Sequence, residues 1–270
     1  MDLISFDALR SFRLPGARYI KPEHLYHHLD RIRRADGVIF PQYWQLNPLI
    51  YALNRRIFPS AATYLIGHDK VEMTRCFQIV APDHVPDTQI LANSDSNADL
   101  LWDRMARPFV AKVPRSSMGQ GVFLIDNLQQ WRAYRALSPV LYVQEYLPID
   151  RDLRIIWIGD QIIGGYWRTQ APQGFYNNVA QGGAIEQGLI PLEARLLVER
   201  LATTLGIDHG GFDVAMVGAH PYVFEFNRLF GNQGLRDSAI DSDALIGQYL
   251  QRRWGNPYPE LPDRPLPEAV

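Results

Sequence analysis

The sequence predicts an α+β fold, a small N-terminal α/β lobe followed by a larger unit built mainly from antiparallel hairpins. Three observations predict it. In the second half, apolar strands follow one another across short turns: DLRIIWIG meets QIIGGYWR at Gly159-Asp160, and GFDVAMV meets PYVFEFN at Gly218-Ala219-His220. A doubly wound parallel sheet would need a helix between nearly every strand pair. Over residues 1–68, strand and helix signals alternate instead, as an α/β lobe requires. Finally, 270 residues with 47 % hydrophobic and 21 % charged side chains suffice for one or two cores.

The elements follow in order. Residues 22–34 read as a helix, with Pro22 in its first turn and Leu25, Leu29 and Ile32 on one face. Gly37 stops it, and GVIF reads as a short buried strand. Residues 48–57 are a second helix candidate, and AATYLIG (61–67) reads as a strand. Residues 70–77 predict a helix, and APDHVPDT (81–88) a proline-bounded loop. FVAKV and VFLI flank the turn RSSMGQG as a hairpin. Asn127 can cap the helix LQQWRAYRAL, and VLYVQEYL is a strand. Residues 191–205 form an amphipathic helix ended by Gly206. The expected domains are the lobe 1–68 and a unit 69–255, itself divided into a glycine-loop part (108–145) and a metal-binding part (146–255). A proline-rich tail, 256–270, cannot continue a helix.

Charge and cysteine content exclude several classes. Lys and Arg number 27 against 29 Asp and Glu, so no global field draws the chain to nucleic acid. Cys76 is the single cysteine and cannot form an internal disulfide. No apolar run reaches the ~18–20 residues of a membrane span, and the N-terminus lacks a secretory pattern. A cytoplasmic protein is expected, with no membrane partner; homo-oligomerisation is left open.

Three constellations carry chemistry. In FVAKVPRSSMGQGVFLI, Lys112 leads into a loop with Ser117, Gly119 and Gly121, whose small residues let backbone N–H groups surround a polyphosphate. A strand follows the loop, so it is neither a Rossmann fingerprint nor a P-loop, and it also reads as an ordinary hairpin turn. Glu225 and Asn227 lie two apart on one strand, hence on one face, with Asp213 on the neighbouring strand. Two carboxylates and an amide oxygen suit Mg²⁺, although a solvent-facing edge strand would also place Glu225 there. The end of VLYVQEYL can pair with an adenine edge, with Glu145 orienting the amino group. Asp152, Arg154 and Arg168 recur on the next two strands, where arginine can grip a phosphate or carboxylate or simply form solvated ion pairs.

The order of these signals resembles the ATP-grasp superfamily, and within it the RimK-like carboxylate–amine ligases, over about residues 67–250. The resemblance implies an ATP-grasp fold, two α/β lobes clasping ATP. It implies Lys70 and Lys112 on the ATP phosphates, and 117–122 as the loop closing over them. Glu145, Tyr146 and Leu147 match the adenine hinge, and Asp152 a nucleotide-binding carboxylate, with Asp150 as its rival. Arg168 matches the arginine at the acyl-phosphate centre and Asn178 a phosphate or substrate contact. Asp213, Glu225 and Asn227 match the ligands of Mg²⁺ or Mn²⁺. The implied partner is a small-molecule, amino-acid or peptide substrate. This chain departs at Tyr176 and Gln181, where the family carries basic residues, and at Arg228-Leu229-Phe230-Gly231-Asn232, where it carries a short Ser-Pro-Gly segment. The departures lie on the substrate side.

The activity so implied phosphorylates a carboxylate and transfers the acyl group to an amine. A nucleotide-binding regulatory protein without turnover, or ester formation through the same activation, would use much the same residues. A metal hydrolase built on His24, His27 and His28 is a third alternative, weakened by the lack of an H-E-x-x-H pattern.

Overall fold

The computed structural model describes residues 1–116, 121–169, 184–231, 234 and 240–255. They fall into two compact units, Met1–Phe58 with Asp241–Val270, and Pro59–Ile240.

The first unit begins with β1 (Leu3–Ser5) and the short helix α1 (Ala8–Ser11), whose N-terminus is capped by the Asp7 carboxylate. β2 (Ala17–Tyr19) follows, then a 3₁₀ segment (Pro22–His28), α2 (Leu29–Arg34), β3 (Gly37–Ile39), a π-helical turn (Pro48–Ala52) and β4 (Ile57–Phe58). The strands form one parallel sheet in the order β2-β1-β3-β4. Ile4, Ile20, Leu25, Ile32, Val38 and Leu49 make its core. The continuous helix expected over 22–34 is thus split into 3₁₀ and α segments, and that over 48–57 shrinks to one π turn.

In the second unit, AATYLIG is α3 (Ala61–Ile66), not a strand. Ser60 Oγ accepts the Thr63 N–H at the N-cap, and Asp208 accepts both the Ser60 N–H and the Thr63 hydroxyl. These bonds, with burial of Tyr64, outweigh the β-propensity of Thr, Tyr and Ile. Next come α4 (Lys70–Val80), β5 (Thr88–Ala92), α5 (Asp95–Arg104), β6 (Phe109–Lys112), β7 (Val122–Ile125), α6 (Leu128–Arg135) and β8 (Val140–Glu145). The sheet β5-β8-β6-β7 is antiparallel and packs Phe109, Ile125 and Leu141 against Leu101 of α5 and Trp131 and Tyr134 of α6. β5 and α5 are not in the predicted order, and this sheet therefore reaches outside the expected 108–145 part.

The second sheet contains β9 (Arg151–Ile158), β10 (Gln161–Thr169), β11 (Ala184–Glu186), β12 (His209–Val217) and β13 (His220–Asn227), in the order β11-β10-β9-β12-β13. α7 (Leu192–Leu205), ended by left-handed Gly206, joins α4 on one face. That face buries Leu153, Ile155, Trp157, Phe212, Val214 and Phe226. By the period of two, Asp152, Arg154 and Asp213 point to the opposite face.

α8 (Ser242–Trp254) belongs to the first unit. Its Tyr249 ring lies 6.0 Å from that of Phe58, Arg13 binds Asp241 at 2.7 Å, and Trp254 fills the space a side chain at Gly37 would take. The division therefore differs from the expected 1–68 and 69–255: α3 goes with the second unit and α8 with the first. The expected tail, 256–270, lies outside the described residues. No helix among those residues is long and apolar enough to cross a membrane.

Candidate active site

The open face of the five-stranded sheet carries a row of charges set by strand register. Asp152 on β9 stands opposite Arg168 on β10. Arg154, two residues on, stands opposite Asp213 on β12, and Asp213 stands opposite Glu225 on β13. Cross-strand partners are close enough for direct bonds. Arg168 donates Nε and Nη2 to the two Asp152 oxygens, at 2.7 and 2.8 Å. Arg154 forks Asp213 in the same way, and Arg168 Nη2 adds a third contact to Asp213 at 3.1 Å. All four side chains are buried. Burial pushes the Asp213 carboxyl up, but the two guanidiniums more than offset this and hold it below the usual carboxylate range. Burial drives Asp152 upward against the pull of Arg168. Gly211 makes room for the cluster, since a Cβ there would lie 2.8 Å from Arg154 Cδ.

β13 ends beside this cluster. Asn227 Nδ2 lies 3.4 Å from Asp213 Oδ2 and 3.3 Å from Glu225 Oε1, so the three proposed metal ligands are neighbours. Lys70, the first residue of α4, lies 3.5 Å from Glu225 and donates to the Ser116 carbonyl, while its backbone N–H bonds Pro114. Lys70 thereby ties the Glu225 carboxylate to the base of the glycine loop. In that loop Gly121 takes φ +81° and its carbonyl accepts the Val113 N–H at 2.7 Å.

Lys112 ends β6 and is only 7 % exposed. Its Nζ donates to Gln144 Oε1 at 2.8 Å, Gln144 Nε2 donates to Thr88 Oγ1, and Thr88 donates to the Pro86 carbonyl. Burial pulls the Lys112 ammonium down to about 8, with the Glu225 charge opposing. Glu145 donates its backbone N–H to Asp87 O and accepts the Asp87 N–H on Oε1, both at 2.8 Å.

Lys70, Lys112, Glu145, Tyr146, Leu147, Asp152, Arg168, Asp213, Glu225 and Asn227 all line one cleft of about 710 Å³. Asp150, the rival of Asp152, is exposed and outside its lining. Ser117, Gly119 and Asn178 lie outside the described residues, as do Tyr176 and Gln181. His24, His27 and His28 cluster with ring centroids 5.5 and 6.5 Å apart, but among the described residues no three His, Cys, Asp or Glu side chains are set to hold a metal.

Sequence reasoning gave no role to three lining residues. Gln144 was visible in QEYL, but its bond to Lys112 depends on pairing between β6 and β8. His68, whose imidazole is held down by burial and then by Arg115 and Arg228, has no motif around it. Arg228 follows the end of a strand, where alternation gives no direction.

Comparison with known proteins follows the same stretch of chain. Residues 69–250 match the family model described as a RimK-like ATP-grasp domain. A probable alpha-L-glutamate ligase of Serratia proteamaculans is 28 % identical over 188 residues, covering 66 % of this chain and 63 % of that protein. A ribosomal protein bS6–L-glutamate ligase of Escherichia coli is 27 % identical over 187 residues, covering 66 % and 62 %. This chain thus matches less than two thirds of the length of these relatives. Among solved structures, a RimK domain ATP-grasp protein from Sphaerobacter thermophilus superposes with a TM-score of 0.67 at 16 % identity, covering 92 % of this chain and 99 % of that one. The D-alanine–D-alanine ligase of Bacillus anthracis gives 0.66 at 15 %, covering 87 % and 83 %. These likenesses show the ATP-grasp fold.

Proposed function

The chain belongs to the RimK-like ATP-grasp family, and from that premise we propose that it is an ATP-dependent carboxylate–amine ligase. One observation carries the reading: a single cleft brings together two lysines, a carboxylate–carboxylate–amide set and a buried arginine pair. A carboxylate alone is a poor electrophile. Phosphoryl transfer from ATP gives an acyl phosphate and ADP, and attack by an amine then forms the amide with loss of phosphate and a proton.

Lys70 and Lys112 bind the phosphates, with Ser117 and Gly119 assigned to the same phosphates. Glu145, Tyr146 and Leu147 receive the adenine. Asp152 contacts the ribose side or, as its two bonds to Arg168 favour, orients that guanidinium. Arg168 meets charge that builds on the transferred phosphoryl group, and Asn178 is assigned a phosphate or substrate contact beside it.

The donor chemistry fits a divalent cation, because the Asp213 and Glu225 carboxylates converge on the Asn227 amide, which would turn its oxygen in place of its nitrogen toward the ion. Glu225 and Asn227 would hold Mg²⁺ or Mn²⁺, with Asp213 shared between it and the two arginines. Such an ion neutralises charge on the phosphates. The reading places the protein in the cytoplasm, with an amino-acid or peptide substrate.

The test is ADP release over a panel of amino acids and short peptides, with mass spectrometry of products. L-glutamate comes first because it is named in the relatives. A new amide mass with stoichiometric ADP is expected. ATP binding without ADP release on any pair would replace this reading with the regulatory one.

A further inference from the structure

Gln144 lines the cleft and has no part in the ligase chemistry above. Its side chain is polar yet the residue is 2 % exposed, so it must find partners inside the protein. Strand register supplies them. Gln144 on β8 stands opposite Thr88 on β5 and Val110 on β6, and Lys112 lies two residues further along the same face of β6. The amide therefore sits between a hydroxyl and an ammonium, and its orientation follows from what each can offer. Thr88 donates its one hydrogen to the Pro86 carbonyl at 2.6 Å, so toward Gln144 it only accepts, and Gln144 Nε2 donates to it at 2.8 Å. The ammonium of Lys112 only donates, and Gln144 Oε1 accepts from it at 2.8 Å. Flipping the amide would break both bonds.

The surroundings of the ammonium add no second bond. Nζ lies 5.6 Å from the centroid of the Tyr142 ring on β8 and 5.4 Å from that of Phe224 on β13. Among the described residues it makes no ion pair; Glu225 and Asp213 act on it through space, and Lys70 opposes them. Held at one N–H by a neutral oxygen, the ammonium keeps two N–H bonds and its whole charge for an anion. A glutamate at position 144 would hold the lysine as firmly but would cancel that charge. We propose that Gln144 is a positioning residue that aims the Lys112 ammonium at the ATP phosphates through a neutral acceptor, and that Thr88 sets the amide of Gln144. This rests on the reading of Lys112 as a phosphate ligand and extends it to the pair behind that lysine.

The chain has three lysines, Lys21, Lys70 and Lys112, so ¹³C labelling at lysine Cε lets Lys112 be titrated by NMR in the full chain with no nucleotide or metal present. Lys112→Arg assigns the signal. In the unchanged chain burial brings the titration down to about 8. Gln144→Leu, similar in size, removes the acceptor and should lower the midpoint by about one pH unit or more. Gln144→Glu should raise it. Thr88→Val should give part of the Gln144→Leu drop, and no further drop when combined with Gln144→Leu. ATP affinity, read by calorimetry across pH 6–10, should follow: its alkaline decline starts at lower pH in Gln144→Leu and at higher pH in Gln144→Glu. A residue that merely fills space would not move the lysine in opposite directions. A midpoint unmoved by either change at 144, moved the same way by both, or lowered in full by Thr88→Val on top of Gln144→Leu overturns the assignment. So does an ATP affinity whose pH dependence ignores these shifts. Failure of the unchanged chain to bind ATP at any pH overturns the phosphate reading of Lys112 instead, and is distinct because the lysine titration uses no nucleotide.

Discussion

Lys112 reaches its position through a directed chain of donors: ammonium to Gln144, amide to Thr88, hydroxyl to Pro86. Each partner's donor and acceptor roles are then fixed, so the ammonium is held before a phosphate binds. Lys112→Ala should weaken ATP binding roughly 10–100-fold, read by calorimetry, since a charge-assisted contact is lost. Unchanged affinity would remove Lys112 from the phosphate site. Arg168 carries a second consequence that the sequence could not disclose. Arg168→Ala should lower kcat and kcat/KM together by roughly 10²–10³-fold with little change in ATP affinity, if it meets charge only in the transition state. The same change orphans buried Asp152, so it should also cost about 3–5 kcal/mol of stability by urea unfolding. Normal turnover with a raised KM for ATP would move Arg168 into the nucleotide shell. The candidate residues themselves were readable because polar groups interrupting apolar strands demand a reason. Their pairing was not, because Arg154 and Arg168 meet Asp213 only through the register of three strands.

Elements were legible where a local pattern agreed with the tertiary context. The hairpins β9–β10 and β12–β13 announce themselves by apolar runs around glycine turns. β5 and α5 did not, because TQILA is short and the helix opens on the polar stretch Asp95-Ser96-Asn97. α3 was misread because its local cap at Ser60 is reinforced by a carboxylate about 145 residues away in sequence, Asp208, which the local pattern does not show. That carboxylate gives a testable pH dependence. Burial raises it to about 6, although Ser60 and Thr63 pull the other way. The folded chain then holds this proton more tightly than the unfolded chain, whose carboxyl titrates near the ordinary Asp value. The group's contribution is therefore most favourable below about pH 4 and is lost as pH rises through about 6, a difference of roughly 2–3 kcal/mol. Asp208→Asn keeps an acceptor for Ser60 but cannot ionise. The difference in urea midpoint between Asp208→Asn and the unchanged chain should shift in favour of the variant between pH 4 and pH 7. A constant difference would show that Asp208 does not titrate in that window.

At the scale of the whole molecule, the α+β class and the ATP-grasp fold were legible, because the strands with interrupting polar residues keep a recognisable order along the chain. The division into units was not, because it depends on where the last helix packs. Both ends of the described chain lie in one unit, and residues 59–240 form an insertion between Phe58 and α8. The parallel sheet is only four short strands, a small core by itself, so α8 should be a large part of what keeps the first unit folded. Leu250 is fully buried on α8, and Ile246 lies one turn before it. Leu250→Ala removes core methyl groups that neighbours can replace only partly, a cost of about 2–5 kcal/mol. Its location predicts where that cost appears. In hydrogen exchange, amides of β1, β3 and α2 should lose protection together, whereas β9 and β12, in the other unit, should keep theirs. Uniform loss of protection across both units would mean that the chain unfolds as one cooperative body, and that α8 stabilises the cleft-bearing unit as much as its own.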